Sequence, residues 1–112
     1  MQLESKKFLF DAKEAADLIG SFLANKTDAE FKSDKLLRSA VYYQYTIIGE
    51  ALSKLRERDV AAAARISEFE RIIGFRNQVV HGYARINDDI TWRIFQDKLP
   101  VLRRELEQLL AE

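Results

Sequence analysis

One segment limits the folds open to this chain more than any other. Residues 34 to 58 place Leu37, Val41, Tyr45, Ile48, Leu52 and Leu55 at spacings of three and four, a continuous seam along a helix. Leu36, Ala40, Tyr43, Ile47 and Ala51 lie beside that seam. Together they make an apolar face wider than one partner helix covers. Such a helix is central in its own bundle, or it also meets a second chain. No segment alternates with the period of a strand. The predicted fold is all-α, an antiparallel up-and-down bundle of four main helices plus short helical turns, with residues 1–112 forming a single domain.

The flanking sequence supplies the other helices and their punctuation. Ser5 is the expected cap of a first helix reaching about Asn25, with Phe8, Leu9, Ala12, Ala15, Ala16, Ile19, Phe22 and Leu23 on its apolar face. Thr27 and Glu30 have capping-box spacing, which predicts one turn over residues 27–32. Ser33 or Asp34 then opens the long helix, and Gly49 within it permits close approach of another backbone. Residues 59–64 read as a short alanine-rich turn or helix. Ser67 is the expected cap of the next helix and Gly82 its stop, with a loop over residues 83–87. Asp88 is the expected cap of a final helical region, which Pro100 either kinks or divides near Leu99.

Charge and composition remove several function classes. Eighteen acidic residues balance eighteen basic ones, unlike the strongly basic surface of a sequence-blind nucleic-acid coat protein. There is no cysteine, so no disulfide framework and no cysteine-based zinc site is available. No apolar run approaches the roughly 20 residues of a bilayer span, and the first residues carry no signal-peptide core. A cytoplasmic protein with no membrane association, metal or cofactor is expected.

Chemistry concentrates between residues 72 and 83, around the only histidine, His81. On a helix, Phe69, Ile72, Ile73, Val79 and Val80 form an apolar stripe with Arg76 at its centre. A guanidinium there needs an anionic partner, an anionic ligand or an opening to water. Glu50 is a candidate ion-pair partner. A lone histidine near a helix end commonly interacts with the last carbonyls, which is the structural reading of His81. Five residues turn a helix by roughly 140°, so Arg76 and His81 share no stripe on a regular helix. They converge if the arginine stem curls, if the helix loosens at residues 80–82, or if a second copy completes the site. A two-fold dimer would bring together two arginines and two histidines. That set suits RNA cleavage without a metal: one imidazole takes the 2′-hydroxyl proton, another protonates the leaving 5′-oxygen, and a guanidinium steadies the phosphorane.

Arg76 and Asn77, followed after three residues by His81, Gly82 and Tyr83, resemble the signature of the HEPN superfamily, and more narrowly that of HepT toxins of HepT–MntA toxin–antitoxin pairs. Ile-Ile-Gly-Glu-Ala at 47–51, Ile-Ile-Gly-Phe-Arg-Asn at 72–77, Trp92 and Leu99-Pro100 extend the likeness over most of the chain. Where many members carry an arginine and an acid before Ile-Ile-Gly-Glu, this chain reads Tyr43-Gln44-Tyr45-Thr46. The resemblance implies a homodimeric helical endoribonuclease with its cleft at the dimer interface and Arg76 and His81 as catalytic residues. Asn77 and Glu50 would shape the site. It also implies a toxin neutralised by an MntA-like nucleotidyltransferase antitoxin, which transfers AMP from ATP onto Tyr83. Some members of the superfamily keep the bundle and act as binding partners, so a non-catalytic helical adaptor for a nucleotidyltransferase and nucleotides is the alternative.

Overall fold

The computed structural model describes residues 1–112, and every regular element in it is helical. Helix α1 (Leu3–Leu23) buries Leu9, Ala12, Ala15, Ala16, Ile19 and Leu23, the small alanines letting it lie close against α3 (Lys35–Arg58). The two run antiparallel: Arg58 at the end of α3 pairs with Glu4 at the start of α1, at 3.1 Å. Ser5 does not cap α1. The helix begins two residues earlier, and Ser5 is fully buried within it. The intervening α2 (Asp28–Ser33) has both bonds of the expected capping box, Glu30 N–H to Thr27 Oγ1 and Thr27 N–H to Glu30 Oε1, each 3.1 Å. Asp34 caps α3 by accepting from Leu37 N–H at 3.0 Å.

The seam of α3 is the centre of the bundle. Val41, Tyr45, Ile48, Leu52 and Leu55 are buried, meeting α1 on one side and α5 (Phe69–His81) on the other. Leu36 and Tyr43 stay exposed, so the apolar face of α3 is wider than its own chain covers. After α4 (Val60–Ala64), α5 starts behind Glu68 and not behind a Ser67 cap. Glu68 takes a left-handed backbone, φ 64°, and Ser67 instead gives its backbone N–H and hydroxyl to Glu105. A 3₁₀ turn (Tyr83–Arg85) leads to α6 (Asp88–Asp97), which Asn87 caps in place of Asp88. Pro100 divides the last region as one of the two expected outcomes. It sits in the first turn of α7 (Leu99–Leu110), where its missing N–H forfeits no helical bond.

The core holds 23 buried hydrophobic residues. At one end it is aromatic. Phe31, the fully buried anchor of α2, lies 5.7 Å from Trp92 and 6.4 Å from Phe95, ring centre to ring centre. Tyr45 stands edge-on to Phe75 at 4.9 Å, which fixes α5 on α3 just before the Arg76 turn. The bundle is the antiparallel helical architecture predicted, with α6 and α7 together forming its fourth arm.

Candidate functional site

Arg76 owes its position to Gly49. The arginine stem lies across α3 where a β-carbon on residue 49 would come within 2.4 Å of Arg76 Cγ and 2.6 Å of its Cβ. The close approach permitted by Gly49 is therefore made by a side chain, where the sequence suggested a backbone. The guanidinium emerges half-buried. Its Nε is buried with no hydrogen-bond partner, and one terminal nitrogen donates to Asn77 Oδ1 at 3.2 Å. A buried, charged donor without an acceptor is costly, by about 1–3 kcal/mol or more.

Glu50 does not provide the acceptor. It is exposed on α3, 3.7 Å from Lys54, and no carboxylate pairs with Arg76. The apolar stripe is also wetter at one end than the sequence suggests. Phe69 and Ile72 are buried, Ile73 and Val79 are half-buried, and Val80 is 40% exposed. The reason is topological: the chain supplies α3 as the helix packed on α5, and no other helix covers its second half.

His81 is the last residue of α5, exposed, with no hydrogen bond to the helix-end carbonyls that its structural reading requires. The helix does not loosen before it. Gly82 ends the helix, its N–H reaching Gln78 O at 2.8 Å, but it does so at φ −134°, without the left-handed conformation that makes glycine a common stop. With α5 regular to His81 and the arginine stem laid on α3, no hydrogen bond joins Arg76 and His81 within the chain. Asn77 is the one sequence-predicted site residue that touches Arg76.

Tyr83 projects from a built 3₁₀ turn within the stretch the sequence marks as a loop. Arg85 N–H bonds Gly82 O at 3.0 Å, Ile86 N–H bonds Tyr83 O at 3.1 Å, and Gln78 Nε2 donates to Arg85 O at 3.3 Å. The phenol itself is 76% exposed. Beyond the turn, Tyr42 donates to Asp88 Oδ1 at 2.9 Å, and Arg38 lies 3.6 Å from the other Asp88 oxygen. Burial, with the Asp88 carboxylate adding to it, pushes the Tyr42 phenol well above its usual range. These contacts moor the far end of the turn to α3. Sequence reasoning missed Gln78, Tyr42 and Asp88. The Gln78 contact spans seven residues and the Tyr42 contact forty-six, and neither separation has a periodic signature.

No three histidine, aspartate or glutamate side chains converge where they could hold a metal ion. No helix is long and apolar enough to cross a membrane.

The family model for ribonuclease HepT-like proteins matches residues 12–109, nearly the whole bundle and every residue of the site. The chain belongs to the HepT-like ribonuclease family. Among curated proteins it is similar to "Putative RNase MJ1216" of Methanocaldococcus jannaschii, 27% identical, over 96% of this chain and 88% of that protein. It is 30% identical to "Putative RNase MJ1380" of the same organism, over 91% of this chain and 93% of that protein. It is 26% identical to "Putative RNase TTE0752" of Caldanaerobacter subterraneus subsp. tengcongensis, over 74% and 73%. No solved structure gave a significant match. Within this HepT-like fold, the family signature falls on the end of α5 and the turn behind it, where an unpaired guanidinium, a free imidazole and an exposed phenol follow one another.

Proposed function

We propose that this HepT-like protein is a metal-independent endoribonuclease and the toxin of a toxin–antitoxin pair. One observation carries the reading: Arg76 holds a buried, charged Nε–H with no acceptor in the chain, and an RNA phosphate is the acceptor that the family's activity supplies. In the proposed homodimer, Arg76 and His81 of both copies line one cleft. One His81 removes the 2′-hydroxyl proton and O2′ attacks phosphorus. The other His81, protonated, gives its proton to the departing 5′-oxygen. The products are a 2′,3′-cyclic phosphate and a free 5′-hydroxyl. Arg76 binds the non-bridging oxygens as charge builds on the phosphorane, and Asn77 orients the guanidinium through its amide oxygen.

Tyr83 is the proposed control point. An MntA-like nucleotidyltransferase joins the tyrosine oxygen to the α-phosphorus of ATP and releases pyrophosphate. The exposure of Tyr83 and its pinned turn support this, since the transferase reaches a phenol already presented in one place. The added phosphate puts negative charge two residues from His81, where RNA phosphate must bind, and blocks it by repulsion and bulk.

The test is purified protein with RNA in EDTA. Cleavage is expected, with cyclic phosphate ends, and His81→Ala and Arg76→Ala should each abolish it while remaining folded. Intact RNA, or cleavage surviving His81→Ala, refutes the proposal. The lack of a hydrogen bond between Arg76 and His81 within one chain also suits the alternative reading, a non-catalytic adaptor for a nucleotidyltransferase. An adaptor co-purifies with the transferase, leaves RNA intact and causes no growth arrest when expressed alone.

A further inference from the structure

A cavity of about 200 Å³ separates α5 from the α6–α7 arm, and it contains none of Arg76, His81 or Tyr83. Its walls are mainly apolar: Ile72 and Phe75 from α5, Ile94 and Phe95 from α6, Leu102 from α7. Native interiors are close-packed, so a void of this size between helices is not a packing necessity. An apolar cavity of about 150 Å³ stays dry and holds a benzene ring. This one has room for a ring bearing a small substituent.

Tyr45 supplies the polar group. It reaches the cavity from α3, is 5% exposed, and its hydroxyl has no hydrogen-bond partner in the chain. The oxygen is not sealed off from solvent, so it is free to bond a guest in the cavity. The other tyrosine of the aromatic cluster, Tyr42, bonds Asp88, so the want of a partner is particular to the tyrosine on the cavity. Both cations at the mouth are engaged, and Glu105 is held by a hydroxyl and an amide. Glu68 lies 3.3 Å from Arg71 and 3.7 Å from Lys98, and Glu105 accepts from Ser67 at 3.0 Å. The walls are mainly apolar and would strip water from an ionised guest without repaying it, so the lining selects a neutral one.

We propose that this cavity is a binding site for a neutral single-ring aromatic molecule carrying one hydroxyl or N–H group. The ring packs among Ile72, Phe75, Phe95 and Leu102, and its polar group exchanges a hydrogen bond with the Tyr45 hydroxyl.

The test uses the full chain titrated with p-cresol and, separately, toluene, followed by amide chemical shifts. Both are expected to give saturable shifts centred on the cavity residues. One neutral hydrogen bond contributes about 1 kcal/mol. The ratio of p-cresol to toluene affinity should therefore fall about fivefold in Tyr45→Phe. Val101→Phe, which fills the cavity from α7, should remove saturable binding of both. Shifts that never saturate, an affinity ratio unchanged in Tyr45→Phe, or undiminished binding in a folded Val101→Phe each overturn the site. Should Val101→Phe not fold, the Tyr45→Phe ratio decides alone.

Discussion

Gly49→Ala isolates the contact on which the candidate site is built. The added methyl would stand 2.4 Å from Arg76 Cγ, 2.6 Å from Cβ and 3.2 Å from Cδ. Turning the arginine side chain relieves the Cγ clash but not the one with Cβ, which is fixed to the backbone of α5. The helix must move away from α3. Overpacking of this kind costs about 1–3 kcal/mol. Alanine returns about 1 kcal/mol in helix propensity, so the net loss runs from near zero to about 2 kcal/mol. Gly74→Ala is the matched control. Gly74 is exposed on α5 with nothing within 4 Å of an added β-carbon, so it keeps the propensity gain without the clash. Propensity cancels between the two variants, and their difference is the overpacking cost itself. At roughly 4 °C or more per kcal/mol, Gly49→Ala should melt at least about 4 °C below Gly74→Ala. Thermal and urea melts of both variants measure this, and RNA cleavage below the melting range reads the displaced guanidinium. Equal stability of the two variants would refute the reasoning, because Arg76 would then not be seated on Gly49.

Val80→Glu places a charge on the exposed apolar part of α5 and should turn the proposed dimer into a monomer with loss of RNA cleavage. Light scattering at micromolar concentration checks it, and an unchanged dimer counts against an interface on this face. Asp17 accepts hydrogen bonds from Lys13 and Arg103 at 2.7 and 2.8 Å. Burial alone would raise its pKa, but those two bonds outweigh it and hold the carboxyl below 3.8. A depressed carboxylate stabilises the fold above its unfolded pKa and loses that contribution as pH falls through the folded value. Asp17→Asn should therefore be slightly less stable than the native chain at neutral pH, with the gap closing below about pH 3.8, as urea midpoints across the acid range will show. Thr27→Ala removes one arm of the α2 capping box and should cost about 1 kcal/mol by urea unfolding.

Helical periodicity made most of the fold legible. The α3 seam named its buried residues because burial on a helix recurs at three and four, and the Thr27–Glu30 pair marked α2 because both capping partners are local. Caps failed where tertiary contacts outcompeted them. Ser5 sits under the bundle, Ser67 is taken by Glu105, and Asn87 holds the α6 amides that Asp88 would have held, while Asp88 serves Tyr42. In the site, Arg76 was conspicuous as a cation in an apolar stripe, and Gly49 as a glycine inside a helix. That the two meet is a fact of helix pairing, twenty-seven positions apart, with no local trace. The Arg76–Glu50 pair failed for a related reason. Glu50 follows Gly49 by one residue, which on a helix turns it about 100° away from the side chain Gly49 receives.

The unpaired guanidinium and the uncovered part of α3 have one cause. A bundle of this size has one layer of helices on each side of its core, and α3 gives its seam to α1 and α5. Nothing in the chain is left to cover Leu36 and Tyr43 on α3, or Val80 on α5. Were Arg76 only structural, a carboxylate within reach would be expected to neutralise it, and none pairs with it. Glycine at 49 costs roughly 1 kcal/mol of helix propensity, and in return seats the arginine stem between two helices. A residue placed at that cost, its Nε without an acceptor, suits the phosphate binding proposed for it. His81 cannot assist it from the same chain, since α5 stays regular to its last residue. In the proposed dimer, a second copy packed on the uncovered faces would meet both needs at once: it would bury the exposed apolar side chains and bring an imidazole to each arginine.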